Sequence, residues 1–276
     1  MSIVFIDLEV NSKKRVVKYG AFVNRNLIYE GDSSGFKEFI KGYEYVCGHN
    51  AFMHDYKYID KELKLVGIKK KIDTLPVSAL LLAHPSHKLV KDYKISKIEE
   101  NLPYIDASLT HDLLVEEVNT FKNLDNQLKS IYFNLLGSTK EFEWFFKYIE
   151  FKSKDRKLDK TIRARFKDLI CENIDLKSII KNKPQELAYC LAIINAKHLI
   201  NYPPAWIVHQ YPSFMDVLTI LRGNPCFKCD YCNKQYDIHK FLKNTFKYDK
   251  YREFEGVPLQ EEAVKAQIRG ESIITV

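Results

Sequence analysis

The alternation of strand-like and helix-like segments over the first hundred or so residues constrains the fold of this chain more than any other feature. Runs of β-branched and aromatic residues bounded by turn residues are typical of strands, and apolar residues at helical spacing are typical of amphipathic helices. From about residue 124 to 200 only the helical pattern continues. We therefore predict an α/β fold in which a mixed sheet is flanked by helices, followed by a helical region.

The first predicted strand, IVFIDLEV at 3–10, carries two acids near its C-terminal end. Side chains alternate between the two faces of a strand, so Asp7 and Glu9 point to the same face. Two carboxylates on one face repel each other and are costly to bury unless a cation lies between them. A solvent-exposed edge strand would also accommodate two acids, so this strand alone leaves metal binding open.

Two further acids stand where helices are predicted to begin. Asp55, in CGHNAFMHD, follows a turn and lies in the first turn of a predicted helix that starts near His54 and ends at Gly67; in α/β folds, ligands bind at this edge of the sheet. Asp106, in NLPYIDASLTHDLL, opens a strongly periodic helix. Each acid also has a simpler explanation, because carboxylates cap helix N-termini and are stabilised there by the helix dipole.

Taken together, the segments FIDLEV, GHNAFMHD and IDASLTHDLL resemble the three motifs of the DEDD superfamily of 3′–5′ exonucleases, whose proofreading domains have an RNase H-like fold. KYGAF at 18–22 lies where that family has its second strand. DTLPVSALLLAHP at 73–85 matches the strand and helix between its second and third motifs. The resemblance covers roughly residues 1–135 and is specific as a set rather than motif by motif.

The resemblance implies a catalytic site of four carboxylates that hold two Mg²⁺ or Mn²⁺ ions. Asp7 would bridge both ions, Glu9 and Asp106 would hold the ion on the side of the nucleophile, and Asp55 would hold the other. In two-metal hydrolysis one ion activates water and the other stabilises the leaving 3′ oxygen. Carboxylate oxygens suit these hard cations.

One position departs from the family pattern, which has a His or Tyr just before the fourth acid to position the attacking water. With Asp106 as that acid, the corresponding residues are Asn101 and Leu102. An Asn can orient a water but cannot act as a general base. A second register pairs His111 with Glu116 at the same five-residue spacing. The Asp-Ala and Leu-Leu pattern of the helix favours Asp106.

Three of the six cysteines, in PCFKCDYCNKQYDIH, predict a metal site rather than a disulfide framework. They are Cys226, Cys229 and Cys232. A structural zinc ion needs a fourth ligand. His209, in the Pro-bounded segment that leads into this motif, is favoured, and His239, Cys190 and Cys171 are alternatives. An iron–sulfur cluster also uses this spacing, although residue 236, where a further cysteine would be usual, is Tyr.

The segment 241–276, FLKNTFKYDKYREFEGVPLQEEAVKAQIRGESIITV, resembles the start of the first motor domain of RecQ-like DNA helicases. Gln260 matches the glutamine that contacts adenine in that family. The sequence contains no phosphate-binding loop of the form G-x-x-x-x-G-K-[ST], so no ATPase activity is expected. The resemblance implies the front portion of an exonuclease–helicase protein that acts in DNA repair or defence, with the helicase domain as a partner in the longer chain.

Charge favours a polyanionic partner without establishing one. The formal net charge is +7, and the stretch 147–183 contains twelve Lys and Arg residues against six Asp and Glu residues. Such a stretch is either a solvated helical face or a surface for the phosphate backbone. We expect nucleic acid as the partner, single-stranded or 3′-ended DNA in particular, and RNA is not excluded by the motifs.

The domain organisation predicted from these patterns has four parts: an exonuclease domain at 1–135, a basic helical region at 136–208, a zinc-binding module at 209–240 and the start of a helicase domain at 241–276. Without a leader or a long apolar run, the chain is expected to be cytoplasmic and not to bind membranes.

Two other functions are compatible with the sequence. With Asn101 in place of the usual His or Tyr, the first domain could be a catalytically weak or inactive nucleic-acid-binding module that loads the helicase. Alternatively, the acids are helix caps and edge residues in a zinc-organised interaction scaffold. The second of these would be excluded by Mn²⁺ binding at the acids.

Overall fold

The computed structural model describes residues 1–81, 102–196, 203–237 and 258–271. Its internal contacts divide the chain into two compact units, Met1–Arg156 with Leu191–Trp206, and Lys157–Cys190 with Ile207–Val276. Residues 136–156 thus fall in the first unit together with the strands. The four-part division drawn from the sequence remains a prediction.

The first unit contains a five-stranded mixed sheet with the strand order β3-β2-β1-β4-β5. β1, β2 and β3 form an antiparallel meander, whereas β4 and β5 run parallel to β1. The predicted α/β class with a mixed sheet is confirmed. The strands are β1 (Ile3–Val10), β2 (Val16–Asn24), β3 (Leu27–Gly31), β4 (Tyr45–Gly48) and β5 (Lys70–Asp73).

The helices alternate with the later strands and then follow one another, as the sequence predicts. Among the described residues after 124, every regular element is a helix. No described helix is both long enough and apolar enough to cross a lipid bilayer. The helices that accompany the sheet are α1 (Ser33–Ile40), α2 (Asp55–Leu65), α3 (Thr74–Leu81) and α4 (Pro103–Asn123). They are followed by α5 (Asn126–Leu136), α6 (Glu143–Tyr148), α7 (Leu158–Arg165), α8 (Leu176–Asn182), α9 (Pro184–Asn195), α10 (Ala205–Gln210), α11 (Phe214–Arg222), α12 (Asp230–Gln235) and α13 (Pro258–Ile268).

The two faces of β1 have different surroundings. Val4, Ile6 and Leu8 belong to a buried apolar cluster with residues of α1 and α2. On the other face, the Phe5 ring contacts the His111 ring of α4, with centroids 5.0 Å apart. Because side chains alternate along a strand, Asp7 shares this second face with Phe5. The first acidic pair is therefore directed to the side of the sheet that α4 covers.

The turn between β4 and α2 is built from residues suited to it. Asn50 has φ of +57°, in the left-handed region that Asn tolerates better than most residues. At the other end of α2, Gly67 has φ of +80°, which only glycine adopts without strain. Both ends of α2 lie where the sequence predicts them.

Candidate metal centres

Three carboxylates meet beside β1. Asp7, Glu9 and Asp106 each place one carboxylate oxygen within 4.8 Å of those of the other two. The first two come from one face of the strand and are half-buried, and Asp106 comes from the first turn of α4 and is 8% exposed. Acids this close repel one another, and a divalent cation would relieve that repulsion. The arrangement could hold Mg²⁺.

Gly20 allows α4 to approach the strand. Gly20 is paired with Asp7 in the register of β1 and β2. A Cβ at this position would lie 2.3 Å from the carbonyl carbon of Pro103 and 2.4 Å from the amide nitrogen of Tyr104. Both are backbone atoms, so the N-terminus of α4 could not remain in place. The absence of a side chain at Gly20 is therefore what lets the turn that carries Asp106 lie against the sheet.

Helix capping explains neither of the two helix-starting acids. The N-cap of α4 is Leu102 and Pro103 begins the helix, which places Asp106 beyond the cap position. The N-cap of α2 is His54, so Asp55 is the first helical residue, and no side-chain capping bond is made there. Both acids still benefit from the helix dipole. Their burial and contacts need another reason.

Asp55 is attached to the backbone of β1. The parallel pairing of β1 with β4 runs only as far as Phe5 and Cys47, so the backbone of β1 beyond that point is not paired on this side. There the Leu8 N–H donates to Oδ1 of Asp55 at 3.1 Å. Leu8 lies between the two acids of β1, and Asp55 is only 2% exposed. Asp55 does not belong to the group of three acids whose oxygens lie within 4.8 Å of one another, so the structure places it beside that group rather than in it.

The negative charge of the acids affects the pKa of His54. Its Nδ1 lies 3.4 Å from Oδ1 of Asp55. This hydrogen bond raises the pKa of His54 above its ordinary value, and the charges of Asp55 and Glu9 add to the effect, whereas burial opposes it. The acids therefore create a negative potential that favours a positive charge beside them.

The structure brings Asp106, and not Glu116, to the acids of β1. Glu116 is exposed on α4 and lies outside the acidic group formed by the described residues. His111 contacts the rings of Phe5 and Phe22, and its Nδ1 lies 2.8 Å from a carboxylate oxygen of Asp112. Asn101 lies outside the described residues.

Asp73 supports the site and was not singled out in the sequence. It ends β5, is 1% exposed, and accepts hydrogen bonds from the Phe52 N–H at 2.8 Å and the Leu75 N–H at 3.0 Å. Burial raises the pKa of Asp73 to about 7, although the backbone hydrogen bonds oppose this. Asp73 thus fastens the turn before Asp55 to the end of the sheet. An acid directly before a predicted helix is the only sequence signal for this role.

A second group of potential metal ligands lies in the second unit. Cys171, Cys226, Cys229 and Cys232 place their sulfur atoms within 4.8 Å of one another. Four thiols at this separation could hold a zinc ion. These four residues are called the cysteine cluster below.

The fourth member of the cluster corrects the choice favoured by the sequence. His209 lies in α10 and does not belong to the cluster, and Cys171 takes the place assigned to it. The Cys190 thiol instead donates to the Phe214 carbonyl at 3.7 Å. His239 lies outside the described residues. Proximity in sequence misled the choice, because Cys171 precedes the other three by more than fifty residues and reaches them only through the fold.

Comparisons with known proteins identify no relative. No family model matches the chain, and no curated protein and no solved structure does so either. The resemblances to DEDD exonucleases and RecQ-like helicases therefore rest on the motifs alone.

Proposed function

We propose that the first unit is a divalent-metal-dependent 3′–5′ exonuclease that acts on DNA. The observation that carries the proposal is the convergence of Asp7, Glu9 and Asp106 within 4.8 Å, with Asp55 bonded to the backbone between the first two. These are the four acids that the DEDD resemblance selects from sequence. They come from three separate segments of the chain.

The acids fit a pair of Mg²⁺ or Mn²⁺ ions in chemistry and in number. When bound, two such ions would activate water and stabilise the leaving oxygen. Asp7, Glu9, Asp55 and Asp106 would hold them, and the chain would orient the phosphodiester against them. Capping does not account for Asp55 or Asp106, although both lie in the first turn of a helix, where its dipole stabilises a negative charge.

The fold is compatible with this function. A mixed five-stranded sheet flanked by helices is what an RNase H-like domain requires, and the acids lie on β1 and on helices packed beside it. DNA rather than RNA is proposed because the segment 241–276 resembles a DNA helicase, and the basic net charge is compatible with either nucleic acid. The proposed reaction uses the carboxylates alone, since thiolates suit Zn²⁺ rather than Mg²⁺ or Mn²⁺.

Digestion of end-labelled DNA tests the proposal. A 5′-labelled single strand and a 3′-recessed duplex are incubated with Mn²⁺ and the wild-type chain, Asp7→Ala or Glu116→Gln. We expect a ladder that shortens from the 3′ end with wild type and Glu116→Gln, and none with Asp7→Ala. Binding without cleavage by wild type would refute the nuclease and favour the loading module. Cleavage that survives Asp7→Ala would exclude this site.

A further inference from the structure

We propose that the cysteine cluster binds one zinc ion with four thiolates, and that this ion joins two distant segments of the second unit. Cys171 comes from the connection between α7 and α8. The other three come from the connection between α11 and α12 and from α12 itself. This proposal does not depend on the nuclease, because it concerns other residues and another unit.

The distances among the sulfur atoms fit a single zinc ion. With a Zn–S distance of about 2.3 Å, tetrahedral geometry places the sulfurs about 3.8 Å apart. The Cys171 and Cys229 sulfurs are 4.0 Å apart, and all four lie within 4.8 Å of one another. A disulfide requires about 2.05 Å. A four-iron cluster would hold the thiolates further apart, since the inorganic core lies between them.

Hydrogen bonds to sulfur support the cluster as a ligand set. Asn173 Nδ2 donates to the Cys226 sulfur at 3.3 Å, and the Lys228 N–H donates to the same sulfur at 3.4 Å. The Cys232 N–H donates to the Cys229 sulfur at 3.5 Å. Donors of this kind stabilise metal-bound thiolates and orient them.

The apolar cluster around the four sulfur atoms is small. The buried core here consists of Tyr231 and three of the cysteines themselves, with Ile174 and Tyr236 packed against them. Cys171, Cys229 and Cys232 are each at most 5% exposed. This local cluster buries little apolar surface of its own, and a bound metal ion adds its binding free energy to the stability of such a site. Zinc would supply that stability.

Arg163 is inferred to be a positioning residue for Cys171. Its guanidinium donates to the Glu172 carbonyl at 2.6 Å and to the Ile174 carbonyl at 2.7 Å. These carbonyls flank Asn173 and follow Cys171 directly. In addition, the Cys171 N–H donates to the Leu221 carbonyl of α11 at 2.9 Å. Arg163 is one of the basic residues of 147–183, and its contacts give it a structural role rather than a role in binding nucleic acid.

Metal analysis of the purified chain tests the proposal. We expect one zinc per chain in wild type and in Cys190→Ser, a matched control whose thiol lies outside the cluster. Cys171→Ser should lose zinc or release it to a chelator at least about tenfold faster. Replacing zinc by Co²⁺ in wild type should give the visible absorption of tetrahedral thiolate-bound cobalt, a readout that does not require the variant to fold.

Other outcomes would overturn the proposal. Bound iron with a brown chromophore would show an iron–sulfur cluster, and two free thiols instead of six in the denatured, metal-free chain would show disulfides among the cluster cysteines. Zinc that persists unchanged in Cys171→Ser but is lost in His209→Ala would place the fourth ligand where the sequence favoured it. Arg163→Gln should release zinc faster than wild type while keeping the four-thiolate cobalt spectrum, and unchanged release would remove its positioning role.

Discussion

Single residues decide whether the acids can meet, and Gly20 is the clearest case. Gly20→Ala should lower Mn²⁺ affinity about tenfold or more, because the new Cβ would displace the backbone at Pro103 and carry Asp106 away from Asp7. Mn²⁺ titration would measure this. Gly42→Ala is the control: Gly42 has φ of +87° and open space around it, so this change should cost stability but leave Mn²⁺ affinity intact. If Gly20→Ala and Gly42→Ala lowered Mn²⁺ affinity equally, Gly20 would affect the site only through the stability of the fold.

Glu117 makes the stability of the first unit depend on pH. It is fully buried on α4, where one carboxylate oxygen accepts a 2.6 Å hydrogen bond from the Ser78 hydroxyl and the other has no partner among the described residues. Burial raises the pKa of Glu117 well above its ordinary value. The folded protein keeps this proton at a pH where the unfolded chain has lost it, so the free energy of unfolding falls as pH rises.

Glu117→Gln removes this slope and keeps the acceptor for Ser78. Relative to wild type, we expect the variant to gain stability as pH is raised from about 5 to about 7.5, by up to about 1.4 kcal/mol per pH unit. Urea unfolding at the two pH values measures the gain. The exposed neighbour provides the control, since Glu116→Gln should keep the wild-type slope, which also includes the contribution of Asp73. A slope in Glu117→Gln equal to that of the control would contradict the assignment.

The sequence predicts the acidic residues better than the residues that bring them together. The proximity of Asp7 and Glu9 can be predicted because a strand directs both side chains to one face, and in the structure their carboxylates lie close together. The role of Gly20 does not follow from the sequence in this way, and the sequence offers Cys171 only as one of four candidates for the fourth zinc ligand. The contact of Gly20 with α4 and the approach of Cys171 to the other cysteines are made between segments far apart in the chain, about which local periodicity carries no information.

At the scale of elements, the turn between β4 and α2 positions Asp55, and Asp73 stabilises that turn by a hydrogen bond from the Phe52 N–H. Asp73→Ala removes the acceptors for the Phe52 and Leu75 amides, and we expect a loss of about 2 kcal/mol together with weaker Mn²⁺ binding. Chemical unfolding and Mn²⁺ titration measure the two effects. Asp125→Ala, which removes the cap of α5, should lower stability alone. Mn²⁺ binding unchanged in both variants would separate Asp73 from the site.

Element types were predictable over the described chain because their signals are local. The strand patterns in 3–10 and 15–24, and the helical periodicity in 106–121, recur as β1, β2 and α4, although α4 begins earlier than predicted, at Pro103. The C-terminal end of α2 follows from Gly67. Which strands pair with one another is harder to predict from local sequence. The parallel pairing of β4 with β1 depends on the burial of both faces of the sheet, which no single segment specifies.

At the scale of the whole molecule, the two candidate metal centres belong to different compact units. Loss of zinc should therefore destabilise the second unit while Mn²⁺ binding to the acids is retained. Thermal unfolding of Cys171→Ser, followed by limited proteolysis, should show earlier cleavage within 157–190 and 207–237 than in Cys190→Ser. If Cys171→Ser lost both zinc and Mn²⁺ binding while Cys190→Ser kept both, loss of zinc from the second unit would also affect the first.

The most direct test of the central claim is to count Mn²⁺ ions at the acidic site by electron paramagnetic resonance. We expect two ions bound close enough to be magnetically coupled in wild type and in Glu116→Gln. In Asp106→Asn the coupled signal should be lost, since one ligand of the pair is removed. A coupled pair that survives Asp106→Asn, or disappears in Glu116→Gln, would contradict the assignment of Asp7, Glu9, Asp55 and Asp106 as the metal ligands.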